Sequence, residues 1–245
     1  MGLFFRLRLR AQFPRLFPLL FSLLAMTTTA TSHAARAEAA ANRVLPMLER
    51  DINALNLQIG APVFIRIFKQ DSVLELWLKG AKRYQLFRSY PICAFSGALG
   101  PKTMEGDGQA PEGIYQVGPK QMNPASRFHL SFNLGYPNAY DQAHGYTGSA
   151  LMVHGNCVSI GCYAMTDAKI EEIYTLMARA FAAGQGIIPV HAFPFRLTAQ
   201  AMSEHASHPS VEFWRQLQPI YQAFEDDALP PSVRVRAGRY LKLAE

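Results

Sequence analysis

The chain is 245 residues long and carries a formal net charge of +6, from 24 lysines and arginines against 18 acidic residues. Four of the arginines lie in residues 1–34, which contain no acidic residue, so the rest of the chain carries only +2. Because the basic charge belongs to the N-terminus, and because no glycine-rich phosphate loop is present, the sequence excludes a charge-based case for nucleic-acid binding.

The N-terminus, residues 1–34, is predicted to be a signal peptide. Its arginines precede an apolar run of 11 residues at 16–26, which is too short for a membrane-spanning helix of about 20 residues. Small residues follow, and cleavage is expected after Ala34 or Ala37. The sequence therefore predicts export to a periplasm, with no membrane span after cleavage, and an uncleaved signal anchor as the alternative.

Apolar periodicity predicts an N-terminal helix at 38–57 and a series of strands after it. The strands expected in this part of the chain are residues 62–69, 73–78, 84–94, 114–117 and 128–132. Residues 97–113 form a loop punctuated by glycine and proline that holds Lys102, Glu105 and Asp107. Such a loop beside a strand end is expected either to contact substrate or to be a solvated connection.

The second half of the chain alternates loops, strands and helices. Residues 133–148 are aromatic and glycine-rich, typical of a lid or of an irregular surface loop, and His144 within them is a candidate substrate contact. A helix is expected to begin at Thr166 or Asp167 and to end near Gly184. The remaining expected elements are strands at 151–153, 187–195 and 233–241 and a helix at 210–224.

His154 and Cys162 lie eight residues apart, with Gly161 directly before the cysteine. A nearby imidazole accepts the proton of a thiol and leaves a nucleophilic thiolate. Gly161 lets the backbone bend closely around the sulfur and exposes main-chain N–H groups that stabilise an oxyanion. The pattern predicts a Cys/His acyl-transfer site.

Three other interpretations remain open for these residues. The pair could occur by chance, or Cys157 and Cys162 could form a disulfide. His154, Cys157 and Cys162 could also bind structural zinc, although His205 and His208 are too remote in sequence to supply a convincing fourth ligand. If Cys162 stays reduced in an oxidising compartment, Cys93 and Cys157 are the remaining pair, or both are buried free thiols.

Two spaced motifs resemble a known family. Residues 154–162 read HGNCVSIGC and resemble the HG…S-x-G-C signature of the YkuD-type L,D-transpeptidases, while 110–115, after the strand that ends at 95–97, resemble the family's TPxGxF hairpin. The resemblance covers roughly residues 60–195. It is nearest to the YafK-type branch, in which a cysteine lies within a short His-to-Cys linker.

The resemblance implies an α+β fold, a β-rich mixed sandwich with packed helices. With the elements above, it predicts four parts along the chain. These are a signal peptide at 1–34, a helical segment at 35–59, an L,D-transpeptidase-like catalytic domain at 60–196 and a C-terminal extension at 197–245.

The resemblance also implies catalytic roles. Cys162 would be the nucleophile and His154 the general base and acid, with the Gly155 carbonyl orienting the imidazole and the Gly161 and Cys162 N–H groups holding the oxyanion. No metal and no cofactor is expected.

Three further residues are expected at the substrate, namely Ser159, His144 and Tyr163, although Ser159 could equally stabilise a turn through its hydroxyl. One departure from many family members is Ala164, which stands where they carry arginine.

The implied function is a periplasmic cysteine acyl-transferase that acts on peptidoglycan stem peptides through a thioester on Cys162. A hydrolase is the first alternative, either an amidase or an L,D-carboxypeptidase, which would cleave bonds of meso-diaminopimelate or release a wall-linked lipoprotein. A non-catalytic wall-binding domain is the second, and a zinc amidase is a third.

Overall fold

The structure is a computed structural model that describes residues 1–2 and 19–243, with helix side chains described from residue 33 onwards. Residues 3–18 of the predicted signal peptide therefore lie outside the described residues. The predicted part boundaries at residues 34, 59 and 196 stay predictions.

The described chain contains twelve strands, most of them short. They are β1 (Val63–Phe68), β2 (Val73–Lys79), β3 (Tyr84–Pro91), β4 (Ala94–Phe95), β5 (Gly113–Val117), β6 (Met122–Asn123), β7 (Ser131–Asn133), β8 (Met152–His154), β9 (Tyr163–Ala164), β10 (Ile188–Phe193), β11 (Val233–Arg236) and β12 (Arg239–Lys242).

Five α-helices accompany these strands, together with a 3-10 helix at Pro119–Gln121. They are α1 (Leu19–Ala54), α2 (Ala139–Ala143), α3 (Asp167–Ala182), α4 (Ala199–Glu204) and α5 (Val211–Asp227). None of the helices that the structure describes is long and apolar enough to cross a membrane.

The first sheet has the strand order β3-β2-β1-β10-β5. Its central pair, β1 and β10, runs parallel, whereas β2 and β5 are antiparallel to their neighbours. All six residues of β1 are buried. Because successive side chains of a strand point to opposite faces, Ile65 and Ile67 join the core under α1 and α3, while Phe64 and Phe68 pack towards α5.

The second sheet has the order β4-β9-β8-β7-β6, and its strands contain only two or three residues each. Strands β8 and β9 run parallel, and the residue pairs Val153–Tyr163 and His154–Ala164 lie side by side. The C-terminal strands β11 and β12 form a separate hairpin.

Several sequence expectations need correction. The expected strand at 128–132 begins only at Ser131, because Phe128 and His129 belong to a turn in which His129 has a φ of 67°. The expected strand at 233–241 is the β11–β12 hairpin, which turns at Ala237 and Gly238, both with positive φ. Two-residue turns of this kind match the twist of paired strands.

The helix boundaries also differ from expectation. Helix α1 begins at Leu19 and ends at Ala54, so it is longer than the helix expected at 38–57, and Pro46 lies within it. Thr166 precedes α3 but makes no capping hydrogen bond through its side chain. The Asp167 carboxylate instead accepts a hydrogen bond from the N–H of Asn156, 2.7 Å away, and so stabilises the turn after His154.

Candidate active site

The second sheet brings His154 and Cys162 to one face. His154 is the last residue of β8, and Cys162 directly precedes β9. Because these strands pair in parallel with Val153 beside Tyr163, Cys162 lies beside Met152 and its side chain shares a face with that of His154. The two are offset by two residues along the strand direction, about 6.6 Å.

The His154 imidazole is held by its own backbone neighbour and by an aromatic ring. Its Nδ1 lies 2.6 Å from the carbonyl oxygen of Gly155. A carbonyl only accepts hydrogen bonds, so Nδ1 carries the proton and Nε2 keeps its lone pair. The ring stacks on Phe128 with centroids 4.7 Å apart. Burial lowers the pKa of His154, although the bond to Gly155 opposes the shift, which favours the neutral base.

Cys162 is a half-buried free thiol. Its Sγ accepts a hydrogen bond from the Met152 N–H at 3.4 Å and lies 3.8 Å from the Ala150 carbonyl oxygen. Burial raises the pKa of Cys162, while the Met152 N–H and the positive charge of Lys102 oppose the shift. These shifts favour a protonated thiol on Cys162 and a neutral imidazole on His154.

The Gly161 N–H is not free for the role expected from the sequence. It donates to the Ser96 hydroxyl oxygen, 2.5 Å away. The Cys162 N–H, in contrast, has no hydrogen-bond partner within the described part of the chain. Of the two N–H groups expected at the oxyanion, the one at Gly161 is therefore already used in a hydrogen bond.

The residues expected at the substrate are placed differently from one another. The Ser159 hydroxyl donates to the Cys162 carbonyl at 2.7 Å and so stabilises the turn before the nucleophile. Tyr163 is fully buried and its hydroxyl donates to the Pro111 carbonyl at 2.8 Å. Its burial argues against the expected substrate contact.

His144 is held in an aromatic cluster formed by α2 and the C-terminal hairpin. Its Nδ1 lies 2.9 Å from the Tyr140 carbonyl oxygen, and its ring stacks on that of Tyr140 at 4.1 Å. Its ring also lies against Gly238 in the hairpin turn. These contacts are with α2 and the hairpin rather than with Cys162 or His154.

Cys93 and Cys157 form a disulfide with their Cα atoms 5.3 Å apart. The bond ties the loop between His154 and Cys162 to the segment between β3 and β4. Because this bond uses the Cys157 sulfur atom, that atom is not available for a Cys157–Cys162 disulfide or for the zinc site considered above. Within residues 1–2 and 19–243, no three His, Cys, Asp or Glu side chains converge as metal ligands.

Lys102 is the charged residue of the 97–113 loop that acts on the site. Its ammonium group is nearly buried and donates to Asp107 at 2.6 Å and to the Met104 carbonyl at 2.8 Å. Burial opposes ionisation of Asp107, but the bonds from Lys102 and from main-chain N–H groups outweigh it and lower its pKa to about 2. The sequence placed Lys102 in this loop but did not distinguish it from Glu105 and Asp107.

Comparison with known proteins identifies the family. The sequence model of the YkuD L,D-transpeptidase catalytic domain matches residues 62–190, which include both His154 and Cys162. The chain belongs to the YkuD family of L,D-transpeptidase catalytic domains. YkuD membership supports a peptidoglycan-related transpeptidase function, and the family is typically associated with the cell wall.

Two curated relatives are proteins of Escherichia coli, from strain K12 and from O157:H7, both named as a candidate L,D-transpeptidase, YafK. Each is 48% identical to the chain over 183 residues, which cover 75% of this chain and 74% of the relative.

Two solved structures are more distant. A variant of the helical cell shape determining protein Pgp2 from Campylobacter jejuni is 19% identical with a TM-score of 0.46, over 67% of this chain and 56% of Pgp2. Bd1075 from Bdellovibrio bacteriovorus is 23% identical with a TM-score of 0.38, over 67% of this chain and 62% of Bd1075. The chain thus spans less than two thirds of the length of both.

Proposed function

We propose that the protein is a periplasmic cysteine acyl-transferase that acts on peptidoglycan stem peptides through a thioester on Cys162. One observation carries the proposal. The Gly155 carbonyl fixes the proton of His154 on Nδ1, which leaves Nε2 as a base on the same face as the free thiol of Cys162.

In the proposed reaction, His154 Nε2 removes the thiol proton as Cys162 Sγ attacks a peptide carbonyl carbon. The carbonyl oxygen becomes an oxyanion and accepts a hydrogen bond from the Cys162 N–H, which has no other partner among the described residues. One such donor typically contributes about 3 kcal/mol. The C–N bond then breaks, the amine leaves with the proton from His154, and a thioester remains.

Resolution of the thioester requires a second nucleophile. An acceptor amine, deprotonated by His154, attacks the thioester carbon, forms the new amide and expels the thiolate, which regains its proton. The family resemblance implies that the acyl donor is a stem peptide that contains meso-diaminopimelate. We expect no metal and no cofactor in this sequence of steps.

Hydrolysis is the second candidate outcome, and the exposure of the catalytic loop favours it. Ile160, two residues before Cys162, is 90% exposed, and its neighbour Val158 is also exposed. Water therefore has access to this side of the thioester, and attack by water would make the protein an amidase or carboxypeptidase. A wall-linked lipoprotein is a further partner under this outcome, as the amine component that cleavage releases.

Product analysis in heavy-oxygen water tests the function. The mature protein is incubated with sacculi or purified stem peptides in the presence of a chelator, and the products are separated and weighed. New cross-links without heavy oxygen establish transfer, while heavy oxygen in released peptides establishes hydrolysis. Neither product, with Cys162 free and reduced, contradicts both enzymatic proposals and favours a wall-binding domain.

Export is proposed with cleavage after Ala34 rather than after Ala37. Arg36 donates to the carbonyls of Ser126 and His129 at 3.0 and 3.1 Å, on either side of Phe128, the ring that stacks on His154. Cleavage after Ala34 keeps this clamp and cleavage after Ala37 removes it. The intact mass of the protein recovered from the periplasm tests this, and a mass that begins at residue 38 or retains residues 1–34 contradicts it.

A further inference from the structure

The Ser96 hydroxyl joins two loops that meet beside the nucleophile. It donates to the Gly108 carbonyl at 2.6 Å and accepts from the Gly161 N–H at 2.5 Å. A hydroxyl has one proton. Ser96 donates that proton in its hydrogen bond to the Gly108 carbonyl, so a lone pair of the Ser96 oxygen must face the Gly161 N–H. Both bonds are therefore used in one fixed orientation.

The loop that follows Ser96 is held in place by a buried ion pair. The Lys69 ammonium donates to the carbonyls of Ala98, Gly100 and Ala110 at 2.6, 3.1 and 3.0 Å. It also pairs with Glu112 at 3.1 Å, and both side chains are fully buried. The Ala110 N–H in turn donates to the Ser96 carbonyl at 3.0 Å, so this serine is fixed by its main chain as well as by its side chain.

Gly161 directly precedes Cys162 in the chain, and its backbone conformation is an unusual one. Its φ is +103°, a conformation that favours glycine because residues with a Cβ rarely adopt it. On its N-terminal side, the turn that contains Gly161 is held by the bond to Ser96 and by the Ser159 hydroxyl, which donates to the Cys162 carbonyl. On its C-terminal side, the chain is held by β9, which starts at Tyr163 beside Val153. The two attachments together set the direction of the Cys162 N–H.

We propose that Ser96 is a positioning residue, whose hydroxyl aims the Cys162 N–H at the oxyanion by fixing Gly161. This role rests on the proposed acyl-transfer function, and it replaces the direct role expected for Gly161. The Ser96 side chain does not touch the reacting atoms. It acts only on the step in which negative charge develops on the carbonyl oxygen.

Two reactions of Cys162 separate this role from a structural one. Iodoacetamide alkylates the sulfur without forming an oxyanion. p-Nitrophenyl acetate acylates it through one: the S–C bond forms, the C–O bond breaks, nitrophenolate leaves, and the thiol proton passes to His154. Substitution Ser96→Ala is expected to slow acylation about 10- to 100-fold, because the oxyanion donor is misaligned rather than removed. The rate of alkylation is expected to change less than about twofold.

Two variants serve as controls. Ser96→Thr keeps a hydroxyl and is expected to restore most of the acylation rate. Thr175→Val removes a buried hydroxyl from α3 that has no partner among the described residues, and it is expected to leave both rates unchanged.

Each outcome either supports or overturns the positioning role of Ser96. Equal slowing of both reactions in Ser96→Ala, unchanged acylation, or no rescue by Ser96→Thr overturns the positioning role while leaving the acyl-transfer proposal intact. A wild-type protein that is alkylated but never acylated overturns both.

Discussion

The two sheets of this protein are built in different ways. Strands of the first sheet contain five to eight residues and are held by long ladders of main-chain hydrogen bonds. Strands of the second sheet contain two or three residues and depend on cross-links between distant segments, such as the Cys93–Cys157 disulfide and the Ser96–Gly161 hydrogen bond. The proposed chemistry lies on the second, less regular sheet.

Buried polar groups differ in the same way. Beside the first sheet, Lys69 and Glu112 are buried as an ion pair, and Trp214 donates a further hydrogen bond to Glu112 at 2.8 Å. On the second sheet, His154 and Cys162 form hydrogen bonds to backbone atoms. A fully paired ion stabilises the scaffold, whereas a proton that is to move needs a base whose lone pair is left unused.

The largest effect is expected at the nucleophile. Substitution Cys162→Ala should lower turnover by at least about 10³-fold, since no other group supplies the covalent step, with little change in thermal stability. Steady-state assays on stem peptides measure the loss. The double substitution Cys93→Ser and Cys157→Ser is the control and should retain most of the activity. Equal loss in both proteins would contradict the division between catalytic and structural cysteines.

The next effect is expected in the scaffold. Substitution Glu112→Ala leaves the buried Lys69 without its counter-charge, and breaking such a pair typically costs about 3–5 kcal/mol. Urea unfolding measures this as a lower free energy of unfolding. Glu105→Ala removes an exposed acid from the same loop that forms no ion pair among the described residues, and it should change stability by about 0.5 kcal/mol or less. Similar values for the two would show that the buried pair is not structural.

Removal of the disulfide should cost less than loss of the ion pair. Cys93 and Cys157 are 64 residues apart in sequence, and a cross-link that closes such a loop typically contributes about 2–4 kcal/mol. The double serine variant should lose this amount in urea unfolding, and alkylation of Cys162 should continue. A variant of unchanged stability would mean that the second sheet does not need its covalent cross-link.

The smallest effect concerns pH. Because burial raises the pKa of Cys162, its thiolate should form only above the ordinary thiol value of about 8.5. The rate of iodoacetamide alkylation should rise with pH and level off above that value. Because burial lowers the pKa of His154, acylation should fall only below the ordinary histidine value of about 6.5. An alkylation plateau already reached near pH 6 would instead indicate a resting thiolate–imidazolium pair.

The same contrast explains what the sequence could predict. Strands β1 and β2 and helices α3 and α5 are long enough for their apolar periodicity to be read directly. Strands of two residues have no period, which is why β6 and β9 were not predicted.

The site divides in the same manner. The Gly155 carbonyl lies next to His154 in the chain, so a local motif implied it. The Ser96–Gly161 contact joins residues 65 positions apart, and no local pattern encodes such a contact. Tyr163 was misplaced for a related reason, because an aromatic residue after the nucleophile can face substrate or core, and only the fold decides.

In the proposed reaction, Cys162 forms a thioester with His154 as its base. Intact-mass analysis of the protein, quenched in acid during incubation with stem peptides, tests it most directly. We expect an added mass equal to that of the acyl fragment, located on the peptide that carries Cys162. This adduct should disappear with hydroxylamine and should be absent from Cys162→Ala and His154→Ala. An adduct on another residue, or turnover without an adduct and undiminished in His154→Ala, would contradict it.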